Sequence, residues 1–308
     1  MLNKTFNYQA WAAQIGLSHF KVNAPLKELN HFKTGGTAAL LAYPQNEAEL
    51  KLLLKAANAD GLPFFILGGG SNVLIGDEGL PYLIINLQEM QLIPQPQTGL
   101  YNFAAGTKTS RLAKETAEAG LAGLQTFYGL PGTLGGACYM NARCYGRDIA
   151  AGFAAARCFT YTGEEVTINF NPSEWGYKKS PFQGNNLVIV EVYFNLQPSA
   201  NAALLAEAQS YYDDRVTKGH FAYPSAGSTF KNNPAFGAPS GQIIDSLGLK
   251  GFKYGEAMVS PCHANFIVNA GNATSSEILQ LIKIVQAKVK MAYGYELEPE
   301  VIVKGFSS

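Results

Sequence analysis

Two glycine-rich segments constrain the fold of this 308-residue chain more than any other feature. Residues 129–146 read GLPGTLGGACYMNARCYG and place four glycines among the first eight positions, and residues 68–70 form an unbroken run of three glycines. Glycine loses more conformational entropy on folding than other residues, so it is favoured where the backbone needs a positive φ or lies against another group. We therefore expect crowded backbone or a bound ligand at both segments.

The composition indicates an ordinary soluble globular protein, with 47% hydrophobic and 15% charged residues. Basic and acidic residues both number 23, and no Lys/Arg-rich block interrupts the chain, which argues against a nucleic-acid partner. No stretch approaches the roughly 18 apolar residues of a membrane span, and the N-terminus lacks the apolar core of a signal peptide. We expect a cytoplasmic protein without a membrane partner.

The cysteines and histidines indicate neither disulfides nor a metal site. The four cysteines, at positions 138, 144, 158 and 262, have no C-x-x-C spacing and are too sparse for a disulfide framework. The four histidines add no paired ligand spacing. Free thiols and no bound metal are the expectation.

Periodicity predicts an α+β architecture, because strands and helices alternate irregularly over the first 150 residues. A helix follows Asn46, and a short strand ends at the three glycines. A second helix is expected near residues 109–119 with a Ser or Thr cap, and a third is expected to be capped by Ser240. Thr274 and Glu277 have the spacing of a capping box before a long amphipathic helix. We place the start of a separate C-terminal α/β domain near residue 216.

The motifs taken singly leave their roles open. GGGSN at 68–72 suits a phosphate, but it matches neither the dinucleotide fingerprint nor a P-loop, and a tight turn is an equal alternative. The second glycine-rich segment could clasp the same extended ligand, or the two could be unrelated turns. Ser228 has no nucleophile-elbow context and could be a backbone cap. YKKSPFQ at 177–183 and LEPEV at 297–301 would each pass as solvated surface.

Taken together and in order, seven motifs resemble the UDP-N-acetylenolpyruvoylglucosamine reductase family of bacterial cell-wall synthesis. They are HFKTGGTA; LGGGSNVLI with DEG; GL, TFYGLPGTLGGACYMNA and CYG; YKKSPFQ; YPSAGSTFKNN; GLKGFKYGEAMVSPCHANFIVN; and LEPEV. Each motif alone is weakly specific, whereas the ordered set spans most of the chain. The chain resembles the short form of the family, which lacks an inserted tyrosine-bearing loop.

The resemblance implies a two-part FAD-binding fold of the vanillyl-alcohol-oxidase/p-cresol-methylhydroxylase type with a C-terminal α/β substrate domain. The expected divisions are residues 1–90 and 91–215 for the FAD-binding parts and 216–308 for the substrate domain, with the last strand, within 296–308, packing back on the FAD region. FAD would be bound non-covalently. The residues implied to contact it are Gly68, Gly69, Gly70, Ser71, Asn72, Gly129, Pro131, Gly132, Thr133, Gly135, Gly136, Ala137 and Asn141.

The implied reaction is an NADPH-dependent reduction of the enolpyruvyl ether of UDP-N-acetylglucosamine enolpyruvate to UDP-N-acetylmuramate, a peptidoglycan precursor. Hydride would reach C3 through FAD, and a proton would reach C2 from Ser228. Lys178 and Glu300 would stabilise the charge that develops on the substrate carboxylate. Alternatives are another FAD oxidoreductase of this fold and a non-catalytic paralogue that binds flavin or UDP-sugar. The oligomeric state is open, with a monomer favoured.

Two positions depart from the family pattern. Lys178 stands where the family usually has arginine, whose planar fork binds a carboxylate differently from an ammonium group. Lys179 is adjacent, and Arg143 stands where the family usually has glycine, so either could supply the cation instead. The residues that the resemblance places at the substrate are Arg143, Tyr145, Arg215, Lys218, Lys231 and Asn232.

Overall fold

The computed structural model describes residues 6–90 and 100–306. Its α-helices in that part of the chain are α1 Tyr8–Gln14, α2 Glu47–Ala59, α3 Thr109–Glu118, α4 Leu134–Tyr139, α5 Asn201–Thr217, α6 Ser240–Ser246 and α7 Ser275–Tyr293. The strands are β1 Phe20–Pro25, β2 Thr37–Ala42, β3 Phe64–Leu67, β4 Val73–Ile75, β5 Leu80–Asn86, β6 Tyr101–Ala104, β7 Leu121–Ala122, β8 Arg143–Cys144, β9 Arg147–Asp148, β10 Phe153–Thr160, β11 Glu165–Asn169, β12 Leu187–Phe194, β13 Gln197–Pro198, β14 Ser225–Ser228, β15 Lys253–Tyr254, β16 Ala257–Val259, β17 Phe266–Asn269 and β18 Ile302–Lys304.

The chain forms two compact units. Within the described residues, unit 1 comprises the chain up to Ala24 together with Ala39–Gly69 and Tyr82–Asp213. Unit 2 comprises Pro25–Ala38, Gly70–Pro81 and the chain from Asp214 onward. The predicted boundary at residues 90 and 91 adjoins a segment outside the described residues, and the predicted three-part division stays a prediction.

Two four-stranded sheets carry most of unit 1. The first has the order β1-β2-β5-β3, in which β3 and β5 run parallel. The helix α2 begins where predicted, because the Asn46 side chain accepts a hydrogen bond from the backbone N–H of Glu49. Its residues Leu50, Leu53 and Leu54 are fully buried in the core of this layer. The helix predicted after Asn46 is confirmed.

The second sheet of unit 1 has the order β11-β10-β12-β6, and its strand pairs are antiparallel. Strands β10 and β11 form a hairpin whose turn contains Gly163 with φ +79°. The second glycine-rich segment, for which no helix is predicted, contains the short helix α4. Leu134 and Cys138 of α4 are buried in the core of this sheet, which explains why a helix forms there.

Unit 2 contains the antiparallel sheet β14-β17-β16-β15 and the helices α6 and α7. The capping box of α7 is confirmed, since Thr274 and Glu277 each bond the other's backbone N–H. The apolar face of α7, from Ile278 to Val289, is buried in the core of this unit. The last strand, β18, pairs in parallel with β4.

Two predicted helix caps are wrong. The residue before α6 is Pro239, and Ser240 is the first helical residue, buried, with its hydroxyl donating to the Lys231 carbonyl at 2.6 Å. The residue before α3 is Lys108, and no side chain caps that helix. In both cases the hydroxyl residue is the first residue of the helix rather than the one before it. Among the described residues the Thr109 hydroxyl has no hydrogen-bond partner.

Candidate active site

The two glycine-rich segments are neighbours in unit 1. A Cβ atom on Gly69 would lie 2.5 Å from the Cα atom of Gly132, and one on Gly68 would collide with the Thr133 hydroxyl. Real Cβ atoms do not approach other atoms so closely, so the absence of a side chain lets the two backbones touch. The crowding expected from the sequence is confirmed, and the segments are not unrelated turns.

Backbone hydrogen bonds hold the second segment against the end of β6 and the start of α3. Thr109 N–H donates to the Gly132 carbonyl at 3.1 Å, and Leu134 N–H donates to the Thr107 carbonyl at 2.8 Å. Gly135 N–H donates to the Ala105 carbonyl at 2.8 Å. Backbone hydrogen bonds within unit 1 therefore fix the second glycine-rich segment in place.

We expect Gly69→Ala to lower the free energy of unfolding by about 1–3 kcal/mol, because the new methyl group meets backbone that cannot rotate away. Urea unfolding followed by circular dichroism measures the change. The matched control is Gly136→Ala in α4, where the added Cβ would lie 3.5 Å from the nearest atom outside its own helix. Equal stability of the two variants would contradict the close approach of the two segments.

The neutral, glycine-lined surface of this loop pair fits a flavin dinucleotide. Backbone N–H groups and small hydroxyls such as that of Thr133 suit phosphate and carbonyl oxygens without adding charge. Asn86 pairs with Leu67, directly before Gly68, and is fully buried. Among the described residues its side-chain Nδ2 has no hydrogen-bond partner, so one polar donor beside the loops is unused.

The rest of the GGGSN motif, Gly70 to Asn72, belongs to unit 2. Gly70 has φ +64°, and a Cβ there would overlap the Leu29 carbonyl oxygen. Ser71 is half-buried in the turn before β4. The Asn72 side chain donates to the Glu300 carbonyl at 3.1 Å, so this predicted cofactor residue also supports a predicted catalytic residue.

Ser228 lies at the end of β14, after a bulge in the pairing of β14 with β17. Ser225 pairs with Val268 and Ser228 pairs with Phe266, so one extra residue is inserted in β14. Gly227 within the bulge has φ +74°, a conformation that glycine accepts without strain. The extra residue turns Ser228 to the face it shares with Phe266, and it stays half-exposed.

Glu300 is brought next to this bulge by antiparallel pairing of two distant segments. Phe230 pairs with Pro299, and Glu300 N–H donates to the Thr229 carbonyl at 2.8 Å. Glu300 thus stands opposite the residue that follows Ser228. The structure brings together two of the predicted catalytic residues, which are far apart in sequence.

Lys178, the third predicted catalytic residue, lies in unit 1 on a four-residue turn from Gly176 to Lys179. Gly176 and Lys179 bond each other's backbone, with N···O distances of 3.1 and 3.0 Å. Lys178 has φ +56°, which is uncommon for a residue with a side chain. Lys178 is half-buried and Lys179 is exposed.

Arg143 and Tyr145 lie on the β8–β9 hairpin of unit 1. The Arg143 guanidinium is 3.5 Å from the Asp148 carboxylate, and the side chain remains 46% exposed. The Tyr145 hydroxyl donates to the Tyr211 carbonyl at 3.0 Å, and the two rings are 4.5 Å apart. Tyr145 and Tyr211 line a cavity of about 650 Å³ within this unit.

The remaining predicted substrate residues lie in unit 2. Arg215 is buried, whereas Lys218 is exposed and forms a 2.6 Å ion pair with Asp214. Lys231 forms a 2.5 Å ion pair with Glu298. The Asn232 side chain accepts a hydrogen bond from Ser240 N–H at 2.9 Å, at the start of α6. Each of these four residues thus has a local structural contact or is buried.

Beside Arg215, burial lowers the pKa of His220 to about 4, with the charge of Arg215 and the neighbouring His263 acting in the same direction. The unfolded chain has an ordinary histidine pKa near 6.5. Protonation of His220 therefore favours unfolding. The stability contributed by neutral His220 is complete above about pH 6.5 and is lost as the pH falls towards 4.

We expect the urea midpoint of His220→Gln to fall less between pH 6.5 and 4 than that of the unsubstituted protein. Urea titrations at several pH values measure this. The exposed His19 provides the matched control, since His19→Gln should keep the original pH dependence. Identical pH profiles for all three proteins would contradict the assignment.

Family models and known relatives identify the chain's class. Residues 219–304 match the model described as UDP-N-acetylenolpyruvoylglucosamine reductase, C-terminal domain, and residues 38–169 match an FAD binding domain. The UDP-N-acetylenolpyruvoylglucosamine reductase of Treponema denticola is 39% identical over 297 residues, which cover 91% of this chain and 92% of the relative. The chain belongs to this reductase family. The Treponema pallidum enzyme of the same name is 38% identical, covering 92% of this chain and 93% of its own length.

A solved structure supports the membership. The crystal structure of UDP-N-acetylenolpyruvylglucosamine reductase from Thermus caldophilus matches with a TM-score of 0.75 and 32% identity, over 93% of this chain and 98% of that one. The predicted family, the α+β fold class with an FAD-binding part and a C-terminal domain, the oxidoreductase class and the cofactor FAD are confirmed. The family's reductant is NADPH. In residues 6–90 and 100–306, no helix is long and apolar enough to cross a membrane.

Sequence reasoning missed three residues that shape this site. Asn86, Ser180 and Gln183 have buried or partly buried polar side chains next to predicted site residues. Ser180 and Gln183 lie in the YKKSPFQ motif, so the motif itself was the available signal. Asn86 carried no signal, because an asparagine at the end of an apolar strand usually indicates only a turn.

Proposed function

We propose that this protein uses NADPH to reduce the enolpyruvyl ether of UDP-N-acetylglucosamine enolpyruvate, giving UDP-N-acetylmuramate for peptidoglycan synthesis. The observation that carries the proposal is the bulge before half-exposed Ser228, whose next residue, Thr229, accepts a backbone hydrogen bond from Glu300. A hydroxyl is a weak acid, so it serves as a proton donor only to a strongly basic carbon. Reduction of an enolpyruvyl double bond creates such a carbon at C2.

The glycine-rich segments would hold FAD through backbone and hydroxyl groups. When bound, FAD would supply the hydride chemistry that links NADPH to C3 of the substrate. Gly68, Gly69, Gly132 and Thr133 support this placement, because their backbones meet to form one neutral surface. The other proposed contacts are Gly70, Ser71, Asn72, Gly129, Pro131, Gly135, Gly136 and Ala137.

Lys178 is the proposed cation for the substrate carboxylate. Its half-buried position on a constrained turn favours it over the exposed Lys179, because a fixed charge stabilises a developing anion better than a mobile, solvated one. Arg143 is paired with Asp148, which reduces the charge it can offer. Glu300 would share a proton with the carboxylate as it becomes enolic.

The proposed substrate contacts are Arg143, Tyr145, Arg215, Lys218, Lys231 and Asn232. Two phosphates and a carboxylate make the substrate strongly anionic, which suits the four basic residues in this set. We further propose that the protein works as a monomer in the cytoplasm.

A stopped-flow experiment on the purified protein tests the function in two halves. NADPH should bleach the absorbance of bound flavin, and UDP-N-acetylglucosamine enolpyruvate should then restore it without oxygen. Reduction by NADPH followed by no response to this substrate would reject the proposal and favour another oxidoreductase of the same fold. Binding of both ligands without NADPH oxidation would indicate a non-catalytic protein.

We expect Lys178→Arg to retain or raise the rate of flavin reoxidation by the substrate, since a guanidinium can contact a carboxylate through two parallel hydrogen bonds. The same stopped-flow experiment measures this rate. Lys179→Arg is the matched control and should leave the rate unchanged. Complete loss in Lys178→Arg would indicate that Arg143 already occupies the space of the guanidinium.

A further inference from the structure

The turn that carries Lys178 needs support from outside itself. A positive φ is disfavoured for a lysine, because its Cβ crowds the backbone in that conformation. The bonds between Gly176 and Lys179 close the turn, but they restrain only its two ends. Without other contacts, the Lys178 backbone could relax and carry the ammonium group with it.

Gln183 supplies one such contact from five residues further along the chain. Its side-chain Nε2 donates to the Lys178 carbonyl at 3.1 Å and to the Tyr139 carbonyl at 2.8 Å. Tyr139 is the last residue of α4, so this amide ties the Lys178 backbone to a helix anchored in the core. The buried Ser180 hydroxyl donates to the same Tyr139 carbonyl at 2.7 Å.

Asn141 supplies a second contact at the start of the turn. Its Nδ2 donates to the Gly176 carbonyl at 2.8 Å, and its Oδ1 accepts from Ala150 N–H at 3.2 Å. Asn141 is only 2% exposed, and both its Nδ2 and its Oδ1 are hydrogen-bonded to backbone groups of unit 1. This geometry directs Asn141, predicted as a cofactor contact, towards the lysine turn.

We propose that Asn141 and Gln183 are positioning residues that hold Lys178 in place for catalysis. The inference rests on the proposed function, in which the Lys178 ammonium group stabilises charge on the substrate. Electrostatic stabilisation depends on a charge that is already in place before the charge of the reaction develops, and a misplacement of about 0.5 Å weakens it. The two amides act through the backbone of Lys178 and need not contact the substrate.

The test uses Gln183→Met, which keeps the length of the side chain and removes its donor. We expect the flavin content of this variant and its reduction by NADPH to be unchanged. The limiting rate of flavin reoxidation should fall about 10–100-fold, with the Kd of the enolpyruvyl substrate changed by less than about threefold. Asn141→Gly accepts the positive φ at 141 and removes the amide, and its reoxidation rate, expressed per bound flavin, should fall similarly.

Asn185→Ala is the matched control. Its side-chain Nδ2 also donates to a backbone carbonyl, that of Pro181 at 2.7 Å, but it does not touch the turn from Gly176 to Lys179. We expect this variant to reoxidise at the rate of the unsubstituted enzyme. An equal loss in Asn185→Ala would show that any amide-to-backbone bond in this loop matters, and it would overturn the inference.

A double-mutant cycle separates positioning from general structural support. If Gln183 acts through Lys178, then adding Gln183→Met to Lys178→Met should slow reoxidation no further. Additive losses would reject the inference while leaving the proposed function intact. Failure of the unsubstituted enzyme to be reoxidised by the substrate would instead reject the proposed function.

Discussion

Replacing Ser228 with alanine should slow reoxidation of the bound flavin by the enolpyruvyl substrate by about 10²–10⁴-fold, the usual contribution of a general acid. Reduction by NADPH should proceed at the original rate, because that half of the reaction needs no proton at C2. The Cβ atom is kept, so the bulged backbone at Gly227 has no reason to change. Stopped-flow absorbance of the two halves measures both rates on the same sample.

Ser225→Ala is the control for this prediction. Ser225 lies on the same strand before the bulge, and its hydroxyl accepts a long 3.4 Å bond from Gly227 N–H. We expect both half reactions of this variant to match the unsubstituted enzyme. If Ser228→Ala slowed both halves equally, Ser228 would be supporting flavin binding or folding, and the proton donor would have to be sought elsewhere.

Local sequence signals anticipated the elements whose cause is local. Asn46 and the Thr274–Glu277 capping box start their helices as predicted, because a cap acts within one turn of the helix. The helix α4 was missed because Gly135 and Gly136 lower helix propensity, and burial of Leu134 and Cys138 overrides that preference. Tertiary packing decides such segments, and a single sequence does not display it.

In the candidate site, too, the sequence predicted some features and not others. The glycine pattern correctly indicated crowded backbone, but it could not say that Gly69 meets Gly132 rather than a ligand. The roles of Ser228 and Glu300 came from the family resemblance. Nothing in their spacing predicts that Glu300 N–H donates a hydrogen bond to the Thr229 carbonyl. The sequence does not predict the one-residue bulge in β14 either, because Gly227 is equally consistent with an ordinary turn.

Glu300→Gln should slow flavin reoxidation by about 10²–10³-fold, the typical loss when one preorganised group at a developing charge is removed. The amide keeps the shape of the side chain but neither holds nor releases the proton that the enolic carboxylate requires. The backbone of residue 300 should stay fixed, because its N–H bonds Thr229 and its carbonyl accepts from Asn72. Stopped-flow reoxidation, with FAD content measured alongside, gives the result.

The matched control is Glu296→Gln, which changes a nearby exposed glutamate whose partner is Lys290 on α7. It removes the same charge from unit 2, so a long-range effect of net charge would slow both variants alike. Loss confined to Glu300→Gln ties the effect to the carboxyl group held opposite Thr229. A Glu300→Gln enzyme that reoxidises at the original rate would leave Ser228 and Lys178 to carry the reaction, and Glu300 would then serve only to shape the backbone beside the bulge.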